Sequence, residues 1–179
     1  MKDQQSNLPQ PLSIELQSTA KQLIEAVDAI SDDDFNRTPF EGKWSAGENA
    51  EHVRLSVGGV PSLLKGPTAT TKRAPDEHVN AIKTLFLDFN AKYPSAPGLV
   101  PAAKQYDKQT LIKALTATFD EVVQILTQFD ITDTSTAAEF KGIGKLTRLE
   151  WINVAVYHTQ RHTHQLQLIK NKLMAKAAN

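Results

Sequence analysis

Residues 146–151 read LTRLEW, and this short stretch marks the start of a helix more firmly than any other in the chain. Thr147 and Glu150 have the spacing of a capping box, in which each side chain satisfies a backbone N–H that the first helical turn leaves free. Leu146 and Trp151 stand at the two positions of a hydrophobic staple. The pattern predicts a helix from about Arg148 to near Met174, with Lys170, Lys172 and Lys176 toward its negative end. So long an amphipathic helix needs other elements to bury its apolar stripe.

Three further segments supply them. Leu16, Ala20, Leu23, Val27 and Ile30 recur at intervals of three and four, the helical period, before the acidic break at Ser31–Asp34. Ser45 and Glu48 form another capping box, and Asn49, His52, Val53, Ser56, Val57 and Val60 continue one face until Gly58, Gly59 and Pro61 weaken the helix. Asp107 reads as the N-cap of a helix through Leu111, Leu115, Phe119, Val122, Leu126 and Phe129. No segment alternates like a half-buried strand. The expected fold is all-α, an antiparallel four-helix bundle forming one domain over residues 1–179. Its least regular part is a long proline-rich connection over residues 61–101, between the second and third bundle helices. This holds six of the nine prolines and, within VNAIKTLFLDF, a short helix. Such a connection suits a lid or binding loop as well as a plain crossover.

Lys plus Arg and Asp plus Glu number 20 each, so net charge gives no reason to expect nucleic acid or an anionic membrane as partner. The absence of cysteine rules out disulfides, thiolate ligands and a catalytic thiol from the chain, and fits a reducing compartment. With no apolar signal core in MKDQQSNLPQPL and no apolar run of membrane-spanning length, a cytoplasmic location is expected.

Three of the five histidines lie within residues 158–164. At about 100° per residue, Trp151, Ala155, His158, His162, Gln165, Ile169 and Leu173 share one stripe of the last helix, so His158 and His162 replace apolar residues on the inward face. His52 lies near the inward stripe of the second helix, whereas His164 turns outward or toward a neighbouring helix. A buried imidazole needs a hydrogen-bond partner or a metal. Three imidazoles converging from two helices can hold a divalent ion with a position left open, and equally can serve as hydrogen-bonded core residues. Thr159 occupies the place where H-E-x-x-H metalloproteases carry their general base, which argues against that chemistry.

Together, WSAGENAEHV at 44–53 and GKLTRLEWINVAVYHTQRHTHQLQLI at 144–169 resemble the DinB-like superfamily of four-helix bundles, also called DinB/YfiT-type metalloenzymes. The resemblance spans nearly the whole chain. It implies a divalent metal, most often zinc or nickel, held by His52 from the second helix and by His158 and His162 from the last. It also implies thiol-dependent S-transferase or isomerase activity with a low-molecular-weight thiol, although many members have no known activity.

The expected function is therefore that of a metal-dependent hydrolase or thiol-dependent S-transferase acting on a small molecule. A thiol nucleophile would have to come from a cosubstrate. The alternative is a non-catalytic, stress-related binding or dimerising bundle with structural histidines. Glu48 and Gln165 are the candidate catalytic residues. Glu48 could orient His52 or act as a base, but its capping role already accounts for it. Gln165 suits a substrate contact or support for a ligand, and equally a polar residue at the bundle's end. Trp44 reads as pocket rim or packing, Trp151 as core, and Arg161 as a solvated arginine or a contact for an acidic substrate. His78 has no evident partner, and a homodimer is an expectation from exposed apolar stripes.

Overall fold

The computed structural model describes residues 9–39 and 41–177. Four long helices make the bundle: α1 (Pro9–Asp28), α3 (Ala46–Gly58), α6 (Lys108–Leu126) and α7 (Arg148–Ala177). Helices α1 and α3 each pack against both α6 and α7, which closes the ring around one core. Leu16, Leu23 and Val27 of α1, Val53 of α3, Leu115 and Val122 of α6, and Ile152, Val156 and Leu166 of α7 are fully buried there.

Both capping boxes form. Ser45 Oγ accepts from the Glu48 N–H at 3.2 Å and Glu48 Oε2 accepts from the Ser45 N–H at 2.8 Å. The Thr147 and Glu150 pair repeats this at 3.1 and 2.8 Å, with Leu146 and Trp151 both buried beside it. Asp107 caps α6 through the Thr110 N–H. Helix α6 ends at Leu126, one turn earlier than the apolar spacing predicts. Phe129 lies beyond it, under the Arg148 guanidinium, where an aromatic face rather than the helical period explains the residue.

Short elements fill the connections. The acidic break after α1 is itself a turn of helix, α2 (Asp32–Phe35), capped by Ser31. After Gly59 the chain restarts as α4 (Val60–Lys65), with Pro61 in its first turn, where a missing N–H costs no hydrogen bond. Residues Thr68–Ala69 (β1) pair antiparallel with Thr134–Ser135 (β2). This two-residue ladder ties the long insert to the α6–α7 connection, and its length is too small for any alternation to announce.

The predicted short helix within the insert is α5 (Val79–Leu87), which packs on α7 and buries Ile82. A 3-10 turn at Pro97–Leu99 then lies against α3 before the chain enters α6. In the α6–α7 connection, Gly144 takes φ +102°, a conformation open to glycine. It closes a turn in which Phe140 and Gly144 exchange backbone hydrogen bonds. That turn sets Phe140 between Trp151 and Phe86, with ring centroids 6.0 and 6.1 Å away.

Candidate metal centre

The capping box at Ser45 fixes where α3 begins, and so fixes His52 two turns in, facing α7. On α7, residues 158 and 162 are one turn apart on the same side. The fold brings these three imidazoles together, with one nitrogen of each within 4.8 Å of the others. His52 Nε2 stands 3.1 Å from His158 Nε2, and the ring centroids of the three histidines lie 4.5 to 5.0 Å apart. His52 and His162 are buried, and His158 keeps a partly exposed edge.

All three are held uncharged. Burial lowers the His52 pKa, against a smaller raising effect from the Leu99 carbonyl. Burial, and then the neighbouring His52 and Arg161, push His158 down to about 3. His162 falls well below its ordinary value through burial, His158, His52 and Arg161, with the Gln165 side chain acting the other way. Near neutral pH the cluster therefore offers nitrogen lone pairs rather than three positive charges.

That donor set fits a divalent ion. Two imidazole nitrogens bound at about 2.1 Å to one tetrahedral ion stand roughly 3.4 Å apart, and those of His52 and His158 are 3.1 Å apart. His162 Nδ1 is buried with no hydrogen-bond partner, which is costly for a neutral protein interior. Imidazole-only sets accept zinc, nickel, copper or iron, and three protein ligands leave room for another.

Around the triad, Trp44 tilts onto His52 at 4.9 Å and Phe86 meets His158 edge-on at 5.2 Å. Trp44 is thus in contact with a candidate ligand. Trp151 is core, its Nε1 buried without a partner. Glu48 sits one turn before His52 with Oε2 engaged in the cap. Gln165 Oε1 accepts from Asn49 Nδ2 at 3.0 Å, linking α3 to α7 one turn from the triad. His164 faces the insert, stacked on Phe89 at 4.1 Å. His78, which has no evident partner in the sequence, gives its backbone N–H to Glu150.

Arg161 corrects the expectation of a solvated arginine. It is 8% exposed because the end of α5 covers that face of α7, and its guanidinium donates to the carbonyls of Phe86, Asp88 and Ala91. Two neighbours of the triad carry no signal in the sequence: Leu99, whose carbonyl lies 2.7 Å from His52 Nδ1, and Phe86. Both come from the insert, where no periodicity indicates what faces inward. Asn49 was more accessible: it lies three residues from His52, as Gln165 does from His162, and matched offsets on two facing helices suggest a pair.

The family model of the DinB superfamily matches residues 15–166. No curated protein matches the chain. Among solved structures, a candidate DinB-family member from Exiguobacterium sibiricum 255-15 is similar at 17% identity, with a TM-score of 0.59 over 94% of this chain and 93% of that one. At that identity the likeness speaks for the fold.

Proposed function

Because the chain belongs to the DinB superfamily, and three neutral imidazoles meet between α3 and α7, we propose that it is a metal-dependent enzyme whose ion is held by His52, His158 and His162. Zinc and nickel are the favoured ions. The observation carrying this reading is the convergence of the three ring nitrogens within 4.8 Å. When bound, such an ion acts as a Lewis acid that lowers the pKa of water or of a thiol.

The protein's own groups supply the rest. The absence of cysteine means that a thiol nucleophile enters as a low-molecular-weight cosubstrate, giving S-transfer, whereas activated water gives hydrolysis. Phe86 and Trp44 exclude water from two sides of the triad and strengthen electrostatic contacts inside it. Gln165, held by Asn49, is assigned to orienting His162 or the substrate. Glu48 is assigned to proton transfer through Oε1, because Oε2 is taken by the cap.

Supplying zinc- or nickel-loaded protein with electrophilic substrates, with and without a small thiol, tests the reading. The expected result is turnover that a chelator abolishes and that His158→Ala lacks. Turnover indifferent to chelator and to His158→Ala would refute it. The absence of turnover across both substrate classes would favour the second reading, a metal-stapled binding or dimerising bundle, which the commitment of Glu48 to the capping box supports.

A further inference from the structure

The histidine that comes from α3 is oriented by the insert rather than by its own helix. A carbonyl can only accept, so the 2.7 Å contact between His52 Nδ1 and Leu99 O places the ring hydrogen on Nδ1. Nε2 is then the lone-pair nitrogen, and Nε2 is the atom 3.1 Å from His158. The Leu99 peptide therefore holds His52 in the tautomer that can ligate.

Leu99 is in turn held by two attachments. Its N–H bonds Ala96 O at 2.8 Å in the turn that begins at Pro97, and that turn lies on α3. Upstream, the chain leaves α5 across Arg161. The last carbonyls of a helix have no partner inside it, and here Arg161 serves one of them, that of Phe86, together with two carbonyls just beyond the end of α5. Its Nη1 donates to Phe86 O at 3.0 Å and to Asp88 O at 2.7 Å, Nη2 donates to Ala91 O, and the Tyr93 ring lies 5.5 Å from the guanidinium. The strap over residues 88–99 is thus fastened to the two helices that carry the triad, at Arg161 between His158 and His162 and at His52 itself.

We propose that Arg161 is a positioning residue for the metal centre. By capping α5 it keeps the strap seated, the strap's Leu99 carbonyl fixes the His52 tautomer, and the pair sets how fast a divalent ion leaves. This rests on the metal reading given under Proposed function. It adds that the insert is a fastened cover and that a residue ligating nothing controls the ligand set. Outer partners of metal-bound histidines typically carry about 10- to 100-fold in affinity, which sets the size of the effect.

The test is release of zinc to a chelator from loaded wild type, Arg161→Ala, Arg161→Lys and Thr71→Val. The last loosens the insert's first leg, where Thr71 Oγ1 donates to Thr132 O, without touching the strap. Arg161→Ala should release zinc roughly tenfold faster or more, with lysine between it and wild type and Thr71→Val within about twofold of wild type. Nitrogen-15 spectra of metal-free protein should show His52 protonated at Nδ1 in wild type and a mixture of tautomers in Arg161→Ala. Pro97→Gly loosens the strap from its other end and should reproduce both effects should Arg161→Ala fail to fold. Wild-type release and an unchanged tautomer in a folded Arg161→Ala would overturn the proposal, as would equal acceleration by Thr71→Val. A wild type that takes up no zinc refutes the metal reading instead. The tautomer shift in metal-free protein still decides the strap's role in that case.

Discussion

Glu150 is fully buried, yet no cost of an unpaired charge attaches to it, because four donors converge on its two oxygens. Arg73 supplies Nη1 at 2.7 Å and Nη2 at 2.6 Å, and the N–H groups of His78 and Thr147 each stand 2.8 Å away. Burial by itself would raise its pKa. The bonds from Arg73, Thr147 and His78 outweigh it, and the carboxyl is held below its ordinary range. The unfolded chain therefore takes up this proton at higher pH than the native one. The stability it contributes is present above the ordinary carboxylate value and is lost as pH falls through the lower native one. Glu150→Gln removes the charge paired with Arg73, leaving its guanidinium the Ala74 and Lys145 carbonyls, and should cost about 1.5–3 kcal/mol at neutral pH. Urea midpoints should show the deficit shrinking as pH falls below about 4, where the unfolded wild-type chain takes up the proton before the native one does. A deficit constant from pH 7 to 3 would contradict this account. None of it was visible beyond the capping box, since the partners lie more than 70 positions away, in the insert.

At the scale of elements, α3 shows how local rules depend on what packs against a helix. Glycine inside a helix usually costs about 1 kcal/mol relative to alanine. A Cβ on Gly58 would meet nothing within 4 Å, so Gly58→Ala should stabilise by about 0.5–1 kcal/mol. A Cβ on Gly47 would fall 2.9 Å from Asn36 Oδ1, 3.2 Å from Tyr106 Cβ and 3.3 Å from the Phe35 ring. Asn36 cannot give way cheaply, because its side chain bonds the Tyr106 N–H at 2.8 Å and the Tyr106 carbonyl at 2.9 Å. Gly47→Ala should therefore destabilise by about 1–3 kcal/mol, and opposite shifts of the two unfolding midpoints check both claims. A gain in stability from both alanine variants would show that propensity, not packing, governs the start of α3. The caps and apolar spacings of α3, α6 and α7 were readable from sequence because they depend on neighbours three and four residues away. The end of α6 was not, since Phe129 is recruited by Arg148 after the helix has stopped.

For the whole molecule, the bundle follows from four amphipathic stripes, and the triad follows from the bundle. His158 and His162 share a face by spacing alone, and His52 joins them because α3 and α7 are neighbours. What joins the insert to the bundle is of another kind: Arg161 to three carbonyls, His52 to Leu99 O, and Arg148 to Leu64 O and Gly66 O. Side chains that bond distant backbone leave no period or motif, which is why the insert's role as cover emerged with the fold. Among the described residues, no helix is long and apolar enough to cross a membrane. The central claim, that the bundle presents its three histidines to one ion, is tested most directly by the metal content of purified, untagged protein beside His52→Ala and His158→Ala. The account predicts close to one zinc or nickel per chain after loading and loss of it in both variants, with the helical content retained. A wild type that holds no ion after exposure to zinc and nickel, or variants that hold as much as wild type, would contradict it.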